Sequence, residues 1–217
     1  MKKISNVIKK LREDYSTEEL LEQHADNSPF KQFEKWMQQA IDTKLSHPNA
    51  MTLSTASKDG YPSSRIVLLK EFDENGFVFF TNYKSRKGIE LIENPNASLN
   101  FFWHELEKQV RIEGKVEVVS EKESDEYFKI RPRESQIGAW ASYQSSTLIN
   151  RKKLDNKVKE LTEEFGNDPI PRPPHWGGFI LKPIYFEFWQ GRPSRLHDRL
   201  AYLKSIPGNW RIERLSP

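Results

Sequence analysis

Cysteine is absent from the chain. Its absence removes disulfides, thiolate nucleophiles and zinc–thiolate centres together, and it fits a reducing, intracellular compartment. Long apolar runs are missing too, because polar residues interrupt each one well short of the about 20 residues a membrane-spanning helix needs. The opening Met1-Lys2-Lys3-Ile4-Ser5 is basic but has no apolar stretch behind it, so we expect a cytoplasmic protein with no membrane partner. Neither charge sign prevails: 34 basic and 31 acidic residues leave +3 over 217 positions, too balanced for a dedicated nucleic-acid binder. No GxGxxG occurs, nor a GxxxxGK followed by Ser or Thr. Any phosphate must therefore be held by arginines, lysines and helix starts. The five histidines, His24, His47, His104, His175 and His197, include no pair at metal-ligand spacing, which argues against a metal site. Ser194 near His197 does not form a nucleophile elbow.

Aromatics, by contrast, are plentiful, with six Trp and thirteen Phe, and they suit a β-rich core or a flat-ligand site equally well. The amino-terminal third reads as helical. Ser16 with Glu19 forms a capping box ahead of Leu20, and Ser28-Pro29 opens a helix whose Phe30, Phe33, Met37, Ala40, Ile41 and Leu45 share one apolar face. Strands follow at Ala50–Ala56 and Ser64–Phe72 around Asp59-Gly60, and at Phe77–Thr81 after Asn75-Gly76. Ser85 caps a helix to about Glu93, and strands are expected near Ala97–His104 and Gln109–Val119. Ser120 with Glu123 caps a helix ending near Arg131-Pro132, with a loop beyond it. A long helix over Ser146–Phe165 stops at Gly166, and Asn167–Gly178, with four prolines and two glycines, is a loop. Short strands near Phe179–Trp189, Arg195–Leu203 and Trp210–Leu215 complete an α+β, mainly β protein on an antiparallel sheet or barrel.

Four groups of residues invite chemistry. Thr81 to Lys87 places Arg86 and Lys87 in the first turn of a helix, where cations oppose the dipole; the segment is either a phosphate-binding helix start or a solvated basic turn. On a regular strand Arg195, His197 and Arg199 share one face. Like charges about 7 Å apart cost about 0.6–2.4 kcal/mol, which an anionic ligand would reverse and a solvated face would tolerate. Tyr127, Arg131, Arg133 and Ser135 straddle Pro132 as a plausible phosphate cradle or as ordinary helix-end charge. Arg65 and Lys70, five positions apart on an apolar strand, point to opposite faces if that strand is regular. The acidic residues read mostly as solvated charge on helix faces.

In order along the chain stand RIVLLK (65–70), FFTN (79–82), Ser85-Arg86-Lys87, Phe102-Trp103-His104, RPRESQIGAW (131–140), Gln144-Ser145-Ser146, Trp176-Gly177-Gly178, EFWQG (187–191), RLHDR (195–199) and WRIERLSP (210–217). This series resembles the pyridoxamine 5′-phosphate oxidase family of flavoproteins, and the match runs from about Leu11 to Pro217, nearly the whole chain.

The resemblance implies a split β-barrel homodimer with two FMN sites at the subunit interface. It divides the chain into an amino-terminal segment (1–27) that closes over substrate and a single FMN-binding domain (28–217) ending in dimerisation strands. FMN contacts carried over are Arg65, Ile66, Val67, Leu68, Lys70, Phe80, Thr81, Arg86, Lys87, Gln109, Gln144, Ser145, Trp189 and Arg199. Substrate contacts are Arg12, Tyr15, Lys70, Tyr127, Arg131, Ser135, Arg195 and His197, the last two also the catalytic pair. Asp14 departs from the family's pattern, where Glu is expected. The implied reaction oxidises pyridoxamine or pyridoxine 5′-phosphate to pyridoxal 5′-phosphate with O2 as acceptor and H2O2 as product. Two alternatives stand beside it: a flavin split-barrel oxidoreductase on another substrate, and a non-catalytic pyridoxal-phosphate or flavin carrier.

Overall fold

The computed structural model describes residues 8, 15, 18–205 and 209–217. Helix α1 (Pro29–Asp42) starts with Pro29 at its first turn, where a fixed φ and a missing N–H are harmless. Phe30, Phe33, Met37 and Ala40 are buried as their spacing requires, and Trp36 joins them. Ile41 does not; it is 49% exposed. Trp36 occupies the other margin of the apolar stripe and Ile41 falls just outside it, while Leu45 lies beyond the helix end. The expected capping box at Ser16 falls outside the described residues, and Glu22–His24 form a single 3₁₀ turn.

Strands β1 (Ala50–Ala56) and β2 (Pro62–Leu68) make a hairpin with Ala50 opposite Leu68 and Ala56 opposite Pro62. Gly60 in its turn has φ +85°, a region other residues avoid. The single strand expected over Ser64–Phe72 is broken. After Leu68 the Leu69 N–H donates to the Asn49 carbonyl (2.9 Å), and the Lys70 N–H donates to the Val78 carbonyl (2.9 Å). The backbone thus changes partners within two residues and continues as β3 (Glu71–Asp73), paired to β4 (Gly76–Asn82). Asp73 Oδ1 accepts the amides of Asn75 (2.7 Å) and Gly76 (3.2 Å) in the connecting turn.

Ser85 caps α2 (Arg86–Glu93) by accepting the Gly88 N–H at 3.3 Å. Strands β5 (Asn96–Trp103) and β6 (Lys108–Val118) follow, then α3 (Glu121–Lys129) with the Ser120/Glu123 capping box complete. Where a loop was expected after Pro132, α4 (Arg133–Ala141) begins at once. A proline that ends one helix by disfavouring helical geometry before it is well suited to start the next. Helix α5 (Arg151–Phe165) is shorter than expected, because Asn150 rather than Ser146 is its cap, accepting the Lys153 N–H at 3.0 Å. Strand β7 (Trp176–Gln190) takes Trp176 to Gly178 out of the expected loop. Strand β8 (Asp198–Lys204) begins three residues late, because Pro193–Arg195 form a 3₁₀ turn with Ser194 (φ 56°) and Arg195 (φ 62°) left-handed. Arg195, His197 and Arg199 therefore do not share a strand face. Strand β9 (Trp210–Arg214) closes the chain.

The chain forms two compact units, and β5, β6 and β7 each contribute residues to both. One comprises residues 49–99 and 113–184. Its strands follow the order β2-β1-β5-β6-β7-β4-β3, with β1–β2, β3–β4 and β4–β7 antiparallel. The two ends of that order, β2 and β3, are separated in sequence only by Leu69-Lys70, so the sheet must curl until its ends meet. This is the split barrel. Met51, Leu53, Phe77, Phe79, Leu99 and Leu181 fill its core, and a second cluster gathers Phe128, Ile137, Leu161, Ile170 and Trp176.

The other unit comprises 100–112, 185–217 and the described residues before 49. In it α1 packs on strands through Phe33 against Phe101 (5.0 Å between ring centroids) and Trp36 against Phe188 (5.3 Å). β8 pairs β7 from Tyr185 opposite Leu203 to Gln190 opposite Asp198, and β9 pairs β8. Among the described residues no helix is long and apolar enough to cross a membrane.

Candidate functional site

A cavity of about 880 Å³ opens in the unit of residues 49–99 and 113–184, within the usual size range of small-molecule sites. β2 supplies Arg65, Ile66, Val67 and Leu68 to its wall, and the strand break adds Lys70. That break is why Arg65 and Lys70, expected on opposite faces, line one cavity.

The Arg65 guanidinium is tied down on every side. Nη1 donates to Thr55 Oγ1 (2.6 Å) and the Leu53 carbonyl (3.2 Å), and Nη2 to Ser63 Oγ and Glu90 Oε2 (3.3 Å). Burial lowers its pKa and the Glu90 charge opposes that shift. Glu90 in turn accepts from Ser63 (2.6 Å), Thr55 and Arg86 Nε (2.8 Å). Burial would raise its pKa, but the hydrogen bonds from Ser63, Thr55 and Arg86 hold it down at about 2.

Helix α2 places Arg86 and Lys87 beside this group. The Lys87 ammonium is buried and donates to Thr81 Oγ1 (3.2 Å) and Ser85 Oγ (3.3 Å). Burial lowers its pKa, and the Arg65 charge lowers it further. Thr81 also donates to Gln144 Oε1 at 3.4 Å, and Gln144 and Ser145 (φ 70°) line the cavity with it. The solvated-turn reading of Thr81 to Lys87 fails for Lys87, which is buried against the cavity wall.

A second cationic group sits on the α3–α4 junction. Phe80, Tyr127 and Trp176 stack nearly parallel, with centroids 4.0 Å apart for Phe80–Tyr127 and 5.5 Å for Phe80–Trp176. The Arg131 guanidinium lies over Trp176 at 4.5 Å, and Lys70 Nζ lies 5.9 Å from the Tyr127 ring. Arg131 Nη1 is buried with no hydrogen-bond partner among the described residues. Burial lowers its pKa. The turn at Pro132, whose carbonyl accepts the Ser135 N–H (2.8 Å), brings Ser135 into the same wall.

The remaining expected residues lie in the other unit, where Gln109 is half-buried on β6. Trp189 stands opposite Arg199 in the β7–β8 ladder. Arg199 pairs with the buried Glu187 (2.9 Å), which also holds Arg111 (2.9 Å). Tyr15, Trp189 and His197 form a ring cluster with centroid separations of 5.6, 5.4 and 4.6 Å. His197 Nδ1 accepts the Arg192 N–H at 3.1 Å, which leaves the neutral ring's proton on Nε2. Burial and then the Arg195 charge lower the His197 pKa from its ordinary 6.5. Arg195 is exposed on its left-handed turn. Arg12 lies outside the described residues. Sequence reasoning missed Ser63, Glu90 and Trp176; only the Arg86–Glu90 spacing of four was a legible signal.

Fold and cavity define a class first: an α+β split barrel with a polycationic, aromatic-walled cavity. Comparison with known proteins narrows it. Residues 37–164 match the family model described as pyridoxamine 5′-phosphate oxidase, and 176–217 match the pyridoxine 5′-phosphate oxidase C-terminal dimerisation region. A pyridoxine/pyridoxamine 5′-phosphate oxidase of Microcystis aeruginosa is 56% identical over 95% of this chain and 97% of its own. One from Trichormus variabilis is 54% identical over 99% and 100%. PhzG from Burkholderia lata 383, solved in complex with tetrahydrophenazine-1-carboxylic acid, superposes with TM-score 0.87 at 32% identity, covering 94% of this chain and 100% of its own. The chain belongs to the pyridoxamine 5′-phosphate oxidase family.

Proposed function

We propose that this chain is an FMN-dependent oxidase converting pyridoxamine 5′-phosphate or pyridoxine 5′-phosphate to pyridoxal 5′-phosphate, in vitamin B6 biosynthesis and salvage. The observation that carries the reading is the buried Arg131 Nη1, without a hydrogen-bond partner among the described residues, in a cavity that also holds a separate cluster of Arg65, Arg86 and Lys87. A buried guanidinium nitrogen without a partner is costly, and an arriving phosphate would satisfy it. Two cationic clusters in one cavity suit two phosphates, one on the cofactor and one on the substrate.

The residues fit FMN. Arg65, Arg86 and Lys87, with Thr81 beside them, would surround its phosphate with positive charge, the terminal nitrogens of Arg86 serving as donors, while Ile66, Val67, Leu68 and Phe80 would offer backbone and apolar surface. Lys70, Gln144 and Ser145 complete this part of the wall. When bound, FMN would take the hydride from the substrate and pass its electrons to dioxygen, giving hydrogen peroxide. With the amine, water then releases ammonia and leaves the aldehyde. Lys70, Tyr127, Arg131 and Ser135 would hold the substrate phosphate and so fix the distance of its reactive carbon from the flavin.

The same proposal includes a homodimer with FMN sites at its interface, supported by the dimerisation region at 176–217. There Gln109, Trp189 and Arg199 are assigned to FMN, and Arg12, Tyr15, Arg195 and His197 to substrate. His197, neutral and with Nδ1 already engaged, would present Nε2–H as a donor, so Arg195 and His197 orient and polarise rather than abstract a proton. The likeness to PhzG favours a second reading, a flavin oxidoreductase of this fold acting on another substrate. A substrate without phosphate would leave Arg131 unsatisfied. The test is incubation with pyridoxamine 5′-phosphate in air. Pyridoxal 5′-phosphate, ammonia and peroxide in equal amounts support the oxidase, and their absence with a flavin-loaded protein supports the second reading or a carrier.

A further inference from the structure

Glu90 belongs to neither cationic cluster, does not line the cavity, and was not among the expected site residues. Its side chain is only 6% exposed, an unusual place for a carboxylate. Its partners explain the position. Ser63, Arg65 and Arg86 all line the cavity, and Glu90 reaches each of them from behind the wall, with Thr55 as a fourth donor.

Two features go beyond simple neutralisation. Glu90 accepts a hydrogen bond from Arg86 through Nε alone, and the two terminal nitrogens of that guanidinium make no hydrogen bond among the described residues. Arg86 is 63% exposed, so without Glu90 it would sweep through solvent; with it, the terminal donors are held at the cavity wall. The charge count is also telling. Arg65, Arg86 and Lys87 carry three positive charges and Glu90 one negative, leaving a net +2 against the −1.5 to −2 (about) of a phosphate monoester near neutral pH. Without the carboxylate, three cations would crowd one corner, two of them largely out of water.

We propose that Glu90 is a positioning residue for the phosphate end of the cavity, holding Arg65 and Arg86 as a preorganised pair. The inference rests on the FMN reading above. It acts through two guanidiniums of the cationic cluster assigned to the phosphate, so it separates FMN from riboflavin, which has the same ring system and no phosphate. Preorganised donors bind without first paying for their own ordering.

The test is titration of flavin-free protein with FMN and with riboflavin, followed by quenching of flavin fluorescence. Glu90→Gln should weaken FMN at least tenfold and leave riboflavin affinity unchanged. An FMN affinity equal to wild type, or an equal loss for both flavins, would overturn the positioning role. If Glu90→Gln does not fold, Glu90→Asp decides. It keeps the charge but is one methylene too short to hold both arginines, so FMN affinity should fall several-fold with riboflavin unchanged. Wild-type FMN affinity in that variant overturns the proposal. A wild-type protein that quenches neither flavin overturns the FMN reading itself, a different result from an FMN-binding wild type with an indifferent Glu90 variant.

Discussion

Arg131 lies against Trp176 with one terminal nitrogen buried and unbonded among the described residues, so an arriving acceptor would remove an energetic deficit. Replacing it with methionine keeps packing against the indole and removes the charge. Arg131→Met should raise the KM for pyridoxine 5′-phosphate about 100-fold, the size expected for a lost charge-assisted pair, with FMN affinity unchanged. Steady-state kinetics and a flavin titration check the two halves. His197 makes a pH prediction. Its folded pKa is depressed, so the unfolded chain binds the extra proton more readily. The contribution of this residue is therefore fully present above the ordinary value of about 6.5 and is lost as pH falls through the lower folded pKa. Protonation would also turn the Nδ1 acceptor of the Arg192 N–H into a donor. The pH profile of kcat/KM should stay level through 6.5 and fall only at lower pH, as the folded enzyme's own His197 titrates, and His197→Asn should lack that acid limb. The cationic residues were legible at this scale because their chemistry is visible in type and order. Glu90 was not, because burial is a tertiary property and a helix-face glutamate reads as solvated.

At the scale of elements, what was legible was local. Ser85, Ser120 and Gly166 mark their helix ends with side chains or backbone freedom that act within one turn. Asn150 acts just as locally and was passed over for Ser146. Asn150→Ala should cost about 1 kcal/mol in urea unfolding and leave flavin affinity intact. The break at Leu69-Lys70 could not be read, because the apolar run continues through it and only the exchange of β1 for β4 as partner creates it. The same exchange moves Lys70 into the cavity with Arg65. Gly76 in the following turn has φ +152°, and a side chain there would run into the Leu181 carbonyl. Gly76→Ala should therefore cost about 1–3 kcal/mol, read as a lower urea midpoint at constant slope. The left-handed Ser194 and Arg195 were likewise hidden, since neither residue type announces such a backbone.

At the scale of the molecule, hairpin turns and an irregular mixture of helices and strands were enough to give the α+β class, and the ordered motifs gave the family. The curl of the sheet depends on which strands become its ends, information spread over the whole chain. The proposed dimer should sediment at twice the 25.6 kDa chain mass. The measurement that tests the central claim most directly is the visible spectrum of the purified protein after incubation with FMN and removal of the excess, before and after pyridoxine 5′-phosphate is added without oxygen. The account predicts a yellow protein that bleaches and then regains its colour in air as pyridoxal 5′-phosphate forms. A yellow protein that stays oxidised with substrate bound, or a colourless one that cannot take up FMN, would contradict it.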